Sequence, residues 1–248
     1  MKPIAIIQHV SLDGPEFFLD CLNEQGIPSV VFHVYADDPL PPDVSAFSGI
    51  ASFGGPMSVN DADVHWWISP EIALLAEAVR MRVPVIGHCL GGQLLAKALG
   101  AVVRKTEVPE IGWTDLQACD QNIAAEWFGG RRSIRMFEWH SDTFEMPEGA
   151  RLLLSSAWCA RQAFEYDGIH LGMQFHSEVK APMIRQWLKV GYQDIEAHDV
   201  PSVMSAAAID ASLDAGMPAS HAVARDIYAR WLQGVMWRQV GQVAQATA

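Results

Sequence analysis

Residues 83–100, Val-Pro-Val-Ile-Gly-His-Cys-Leu-Gly-Gly-Gln-Leu-Leu-Ala-Lys-Ala-Leu-Gly, constrain the fold of this chain more than any other stretch. Residues 83–86 form a short continuous apolar run suited to a buried strand, and residues 90–99 are good helix formers closed by Gly100. Cys89 therefore falls in the turn between strand and helix. Glycines at 87, 91 and 92 let the backbone bend sharply and let the helix approach the sheet, the geometry of a nucleophile elbow with cysteine at its tip. Such a turn presents its side chain at the carboxyl edge of a sheet and at a helix N-terminus, where partial positive charge favours thiolate over thiol. From this stretch alone two readings stay open, a nucleophile and a buried structural cysteine.

The rest of the chain alternates in the manner of an α/β sheet with helices on both faces. Residues 3–10, 28–35 and 49–53 read as strands, residues 14–25 as a helix ended by Gly26, and residues 37–43 as a proline- and aspartate-rich surface loop. Residues 57–68, with Trp66 and Trp67, read either as a lid over the site or as packing for the helix that follows. That helix, 70–82, has Ser69 as its N-cap and Pro70 in its first position. Beyond Gly100, strand-like pieces at 102–105, 113–118, 134–138, 151–155, 163–166 and 169–175 suggest antiparallel ribbons added to a mostly parallel sheet. Residues 181–196 and 218–239 read as helices. The apolar stripe Val223, Ile227, Trp231, Val235 on the last is core or a contact in a homo-oligomer. The organisation expected is one domain over residues 1–195 and a helical extension over 196–248.

Composition narrows the partners. A formal charge of −12 with only 17 Lys and Arg leaves no basic face for nucleic acid. No apolar run reaches the roughly 18 residues of a membrane span, and no signal pattern follows Lys2, so no membrane role and a cytoplasmic location are expected. Cys21, Cys89, Cys119 and Cys159 form no C-x-x-C pair, and none of the nine histidines falls in a metal-ligand spacing, so neither disulfide framework nor metal is expected.

A thiol nucleophile needs a base to hold it deprotonated and a third group to orient that base. Cys89, His176 and Glu178 supply one of each. In an extended segment, residues two apart project to the same side, so the H-x-E spacing can bring His176 and Glu178 together. The backbone N–H groups of Gly55 and Leu90 could serve a developing oxyanion, one such donor being typically worth about 10² to 10³ in rate. Taken singly, His176 is also readable as a core histidine, Glu178 as a surface charge and Gly54-Gly55-Pro56 as a plain turn.

Taken together, these motifs resemble the class I glutamine amidotransferases. Gly87-His88-Cys89-Leu90-Gly91-Gly92-Gln93 matches their G-x-C-x-G-x-Q elbow, and Met173-Gln174-Phe175-His176-Ser177-Glu178 is similar to their Q-F-H-P-E motif. Gly54-Gly55-Pro56, Glu110-Ile111-Gly112-Trp113 and Trp139-His140-Ser141-Asp142 also resemble family segments, in order, over about residues 1–190. The resemblance implies a flavodoxin-like fold and attack of Cys89 on the side-chain amide of glutamine. It further implies that His176 protonates departing ammonia, Glu178 orients His176, and water hydrolyses a γ-glutamyl thioester. Gln93 and the backbone around Trp139, His140, Ser141 and Asp142 would hold the amino-acid end, Gly55 and Leu90 the oxyanion, and no cofactor is implied.

Two departures matter. Ser177 stands where the family usually has proline, and the chain carries no P-loop or dinucleotide fingerprint for a synthetase that would consume ammonia. Either a separate synthetase subunit exists, or the chain hydrolyses another γ-glutamyl compound, as the standalone γ-glutamyl peptidases do. Two other elbow families fit worse. In α/β-hydrolases the acid precedes the histidine, and DJ-1-like proteins place a histidine directly after the cysteine. A non-catalytic regulatory module would have kept the fold without needing Cys89, His176 and Glu178 together.

Overall fold

The computed structural model describes the backbone of residues 1–246 and the side chains of residues 1–237. Nine strands form one sheet: β1 (Ile4–Gln8), β2 (Ser29–His33), β3 (Gly49–Ser52), β4 (Val85–His88), β5 (Val103–Ala118), β6 (Ser133–Phe144), β7 (Arg151–Ser155), β8 (Ala163–Tyr166) and β9 (His170–Met173). Seven α-helices accompany them: α1 (Glu16–Glu24), α2 (Ile68–Arg80), α3 (Leu90–Ala98), α4 (Gln121–Trp127), α5 (Ala181–Val190), α6 (Tyr192–Glu196) and α7 (Ala206–Ala246).

The sheet order is β2-β1-β3-β4-β9-β8-β7-β5-β6. The first five are parallel, with Ile4 paired to Ser29 and Gly49, Ile50 to Val85, and Ile86 to Leu171. From β9 onward every pairing is antiparallel, as the turn-separated pieces of the second half suggested. Continuous burial of β1, β3, β4 and β9 follows from cover on both faces. Ile4, Ile6, Ala51, Phe53 and Ile86 meet α1, α4 and α7, while Ala5, Ile7, Ile50 and Val85 meet α2 and α3. The direction of strand addition reverses between β1 and β3, and in open parallel sheets ligands gather at the carboxyl ends beside such a reversal. The chain leaving β1, β3, β4 and β9 there carries His9 to Asp13, Gly54 and Gly55, Cys89, and Gln174 to Glu178.

Several boundaries differ from those read in the sequence, each for a physical reason. Pieces 102–105 and 113–118 are one strand, β5, because Pro109 falls where the register with β6 shifts between Lys105 and Glu110 and a missing N–H costs no ladder bond. Strand β6 runs on to Phe144, so Trp139 to Asp142 lie on a strand. Helix α2 starts at Ile68, not Pro70: Ile68 is pulled into the core, Glu71 N–H donates to Trp67 O at 2.8 Å, and Ser69 is not the cap. Segment 181–196 breaks into α5 and α6 at Gly191, where a Cβ would lie 2.6 Å from the Trp139 ring. Helix α4, unread in the sequence, is capped by Asp120, whose carboxylate accepts from Ile123 N–H. Helix α7 begins at Ala206 and keeps Pro218 inside it. An interior proline costs about 3 kcal/mol. Ile209, Leu213 and Met217, all buried against Trp113, Phe137 and Trp187, return about 1.5–3 kcal/mol each. The stripe Val223, Ile227, Trp231, Val235 is core.

Among the described residues, no helix is long and apolar enough to cross a membrane, and no cluster of three or more His, Cys, Asp or Glu could hold a metal ion.

Candidate active site

The turn from β4 into α3 is tight on every side. A Cβ on Gly91 would lie 2.1 Å from Ser52 O, and one on Gly92 2.4 Å from Met173 O, so helix and strands approach at backbone distance. Cys89 itself takes φ 49° and ψ −108°, a conformation a side chain rarely adopts and one that persists only where surroundings over-determine it. Here Cys89 N–H donates to Met173 O at 2.9 Å, Gln93 N–H to Cys89 O at 3.0 Å, and Gly91 N–H to Phe53 O at 3.1 Å.

His176 and Glu178 leave β9 in a bent segment anchored by His176 N–H to Phe137 O at 2.9 Å. His176 Nδ1 lies 2.8 Å from Glu178 Oε1, with both side chains buried. Burial opposes charge on His176, but the Glu178 carboxylate first and the neighbouring Cys89 second outweigh it, aided by hydrogen bonds to both, and hold the imidazole well above its ordinary value. Burial likewise opposes charge on Glu178, and the charge of His176 with the hydrogen bond between the two outweighs it and leaves the carboxyl lowered. The three residues singled out in the sequence thus form one connected group, in which the imidazole links thiol to carboxylate.

Gly55 and Leu90 meet beside it: a Cβ on Gly55 would touch Leu90 Cδ2 at 3.2 Å. What holds this loop is a network the sequence did not reveal. His9 Nδ1 donates to Gly54 O at 3.2 Å, His9 Nε2 lies 2.8 Å from Glu71 Oε2, and Ser52 Oγ donates to Glu71 Oε1 at 2.7 Å. Burial opposes charge on His9, but Glu71 more than compensates and raises its pKa, so both ring nitrogens donate. A trans peptide points its carbonyl and its N–H in opposite directions. Fixing Gly54 O toward His9 therefore aims the Gly55 N–H away from His9.

Cys89 lies between two cavities that share Gly55, Pro56, Trp139 and Asp194. One, of about 300 Å³, is polar and lined by Met57, Ser58, Gln93, Lys105, Ser141 and Asp142 among others. Gln93 Nε2 reaches Asp142 O and Gln174 Oε1, both at 3.4 Å, and Gln174 Nε2 reaches Cys89 Sγ at 3.7 Å. Asp142 pairs with Lys105 Nζ at 2.9 Å and accepts from Ser58 Oγ at 2.8 Å. The Ser141 side chain is exposed, while His140 is buried with its nitrogens 3.0 Å from Asp142 O and 3.1 Å from Glu110 Oε2. Both ring nitrogens are thus engaged within the protein, so His140 supports the cavity from beneath. Next to it, burial first and Glu110 second push the Glu138 carboxyl well above its usual range. The other cavity, of about 380 Å³, is walled by Leu12, Trp139, Trp187 and Val190 and holds Asp13. The two tryptophans of 57–68 part company: Trp67 is buried and stacks on His9 at 4.5 Å, whereas Trp66 is half exposed.

The cysteine of the elbow and the buried His-Glu pair thus stand together at the carboxyl edge of a doubly covered parallel sheet, in a protein of the α/β class. The chain belongs to the class I glutamine amidotransferases, whose family profile matches residues 16–188. It is 27% identical over 198 residues, 77% of this chain and 82% of the relative, to the glutamine amidotransferase-like protein YfeJ of Salmonella typhimurium. It is 36% identical over 141 residues, 56% of this chain and 71% of the relative, to a subunit of the glutamine-hydrolysing GMP synthase of Sulfolobus acidocaldarius. The crystal structure of a glutamine amidotransferase from Methylobacillus flagellatus superposes with a TM-score of 0.90 at 40% identity, over 94% of this chain and 95% of that one. The fold read from the sequence, an open α/β sheet with helices on both faces and added antiparallel strands, is the fold of this family.

Proposed function

We propose that this chain hydrolyses the amide of glutamine, or of a related γ-glutamyl compound, through a thioester on Cys89. The observation that carries the reading is the continuous Cys89, His176, Glu178 group beside a polar cavity whose lining holds the Lys105–Asp142 ion pair, two charges that the zwitterionic end of an amino acid can exchange for its own. Cys89 thiolate adds to the γ-carbonyl carbon, and the oxyanion is met by the N–H groups of Gly55 and Leu90, the latter at the N-terminus of α3. The C–N bond breaks as His176 gives its proton to the leaving nitrogen. Water then adds to the thioester, His176 takes its proton, and sulfur leaves as thiolate. Glu178 keeps the ring oriented and supports its positive charge. Gln93 and the backbone of Trp139 to Asp142 hold the glutamyl end.

The relatives named as subunits of GMP synthase support an arrangement in which ammonia passes to a separate synthetase partner. The apolar cavity on the far side of Cys89 favours a second reading, in which a larger γ-glutamyl amide is cleaved. The acyl-enzyme is tested by adding hydroxylamine during turnover of glutamine. γ-Glutamyl hydroxamate is expected from the wild type and none from Cys89→Ala. Ammonia release that persists in Cys89→Ala would contradict the reading.

A further inference from the structure

Only one of the two cavities at Cys89 is needed for a glutamyl group. We propose that the tryptophan-walled cavity receives the amine half of the scissile amide and selects γ-glutamyl amides whose leaving amine has an apolar or aromatic body and no carboxylate. This rests on the acyl-transfer reading of Cys89 and extends it across the scissile bond.

Size is the first argument. Departing ammonia is one heavy atom, whereas a cavity of about 380 Å³ matches a small organic ligand. Position is the second. Cys89 and His176 both line this cavity, so an amine seated in it lies beside the imidazole that must protonate it. The walls are the third, because they are preformed. Trp139 and Trp187 stand edge to face at 6.0 Å, Trp187 Nε1 donates to Leu12 O at 3.0 Å, and Trp139 Nε1 donates to Asp194 Oδ2 at 3.4 Å. Rings held this way offer flat apolar surface at little entropic cost.

Charge decides which amines fit. Asp13 and Asp194 line the cavity, and among the described residues lining it there is no lysine or arginine. Asp13 and His176 flank one spot: a Cβ on Gly54 would lie 3.5 Å from Asp13 Oδ2 and 3.1 Å from His176 Cε1. An amino-acid leaving group, as in a γ-glutamyl dipeptide, would bring a carboxylate among these acids, where the His176 imidazole is already paired with Glu178 and, in the proposed reaction, gives up its proton to the leaving nitrogen. An amine without that carboxylate meets no such repulsion, and one with a second cationic nitrogen gains the acids as partners. In the reaction the amine nitrogen takes the electron pair of the broken C–N bond and the His176 proton, and leaves neutral. The γ-glutamyl group stays on sulfur until water releases glutamate.

The test uses the full chain and a matched pair, γ-glutamyl-phenethylamide and γ-glutamyl-phenylalanine, which differ only in the leaving group's carboxylate, with glutamine as reference. The amide is expected to show kcat/KM at least about ten-fold above the dipeptide. Val190 is 67% exposed, so Val190→Arg accommodates a cation at the cavity wall and is expected to narrow the ratio to about three-fold or less by improving the dipeptide. Equal turnover of the pair, preference for the dipeptide, cleavage of glutamine without cleavage of the amide, or an unchanged ratio in Val190→Arg would each overturn the inference while leaving the acyl-transfer reading standing. Failure of all three substrates to acylate Cys89 would remove that reading, and this inference with it.

Discussion

At the scale of single residues, the site depends on charges held in a buried place by specific partners. The Glu178 carboxylate raises the His176 pKa against burial, so on the proposed mechanism Glu178→Gln is expected to lower the rate about 10² to 10⁴-fold. The sign of the pH effect follows. In the proposed mechanism His176 carries the proton for the leaving nitrogen, so kcat/KM is expected to fall as pH rises through the raised His176 value, above the ordinary histidine range of about 6.5. Without Glu178 that alkaline limb should move to lower pH, which a pH–rate profile of the two proteins measures. The pair's stability contribution has the matching window. The His176 part is full below its unfolded value and lost as pH rises through the raised one. The Glu178 part is present above the usual carboxyl range and lost as pH falls. Behind the oxyanion loop, His9→Phe leaves Glu71 buried without its cation and should cost about 3–5 kcal/mol in urea denaturation. Adding Glu71→Leu should restore most of that stability but not the activity, since Gly54 O stays unanchored; recovery of both would contradict the role given to His9. Cys89, His176 and Glu178 were legible in the sequence because an elbow and an H-x-E step are local patterns. His9, Glu71 and Asp13 were not: His9 meets its carboxylate 62 residues away, and only the sheet brings them together.

At the scale of elements, packing explains both what sequence patterns captured and what they missed. The buried run 49–53 gave a strand close to its true limits, because cover on both faces leaves an unbroken apolar signature, whereas the run 83–86 falls two residues early, since β4 continues through the buried Gly87 and His88. Boundaries failed where tertiary pairing decides them: the pieces 102–105 and 113–118 are one strand across a register shift, Ser69 and Pro70 misplaced the start of α2, and the helix read from 218 lacked the first three turns of α7. The departure at Ser177 acquires a partner at this scale. Ser177 Oγ lies 2.9 Å from the Tyr228 hydroxyl on α7, which in turn lies 3.1 Å from His88 Nε2. One hydroxyl of α7 thus bridges the residue before Cys89 and the residue between His176 and Glu178. His88, pushed down to about 4 by burial, stays neutral there and stacks on Phe53 at 4.7 Å. Tyr228→Phe leaves two buried polar groups unpaired, for an expected loss of about 1–3 kcal/mol and a lower kcat with KM little changed. Steady-state kinetics and denaturation on the same preparation check both. A fall in stability alone would mean that α7 does not steady the site.

At the scale of the whole molecule, α7 is a cover for the sheet as much as an addition to it. Ile209, Leu213, Tyr228, Trp231, Leu232 and Val235 are all fully buried. At about 1.5–3 kcal/mol each, their burial is comparable with the entire net stability of a domain. A chain ending at residue 205 is therefore expected to lose its cooperative unfolding transition, as followed by near-ultraviolet circular dichroism and urea. A cooperative, soluble fragment would show that residues 206–246 are dispensable. The same covering brings α5, α6 and α7 around the edge where the parallel strands end, leaving Cys89 between a polar cavity and an apolar one. The account turns on the chemistry of that one sulfur. Its most direct test is intact-mass spectrometry with peptide mapping after exposure to the glutamine-site electrophile diazo-oxo-norleucine. The account predicts a single adduct, on Cys89, absent from Cys89→Ala; labelling at another residue, or undiminished labelling of Cys89→Ala, would contradict it.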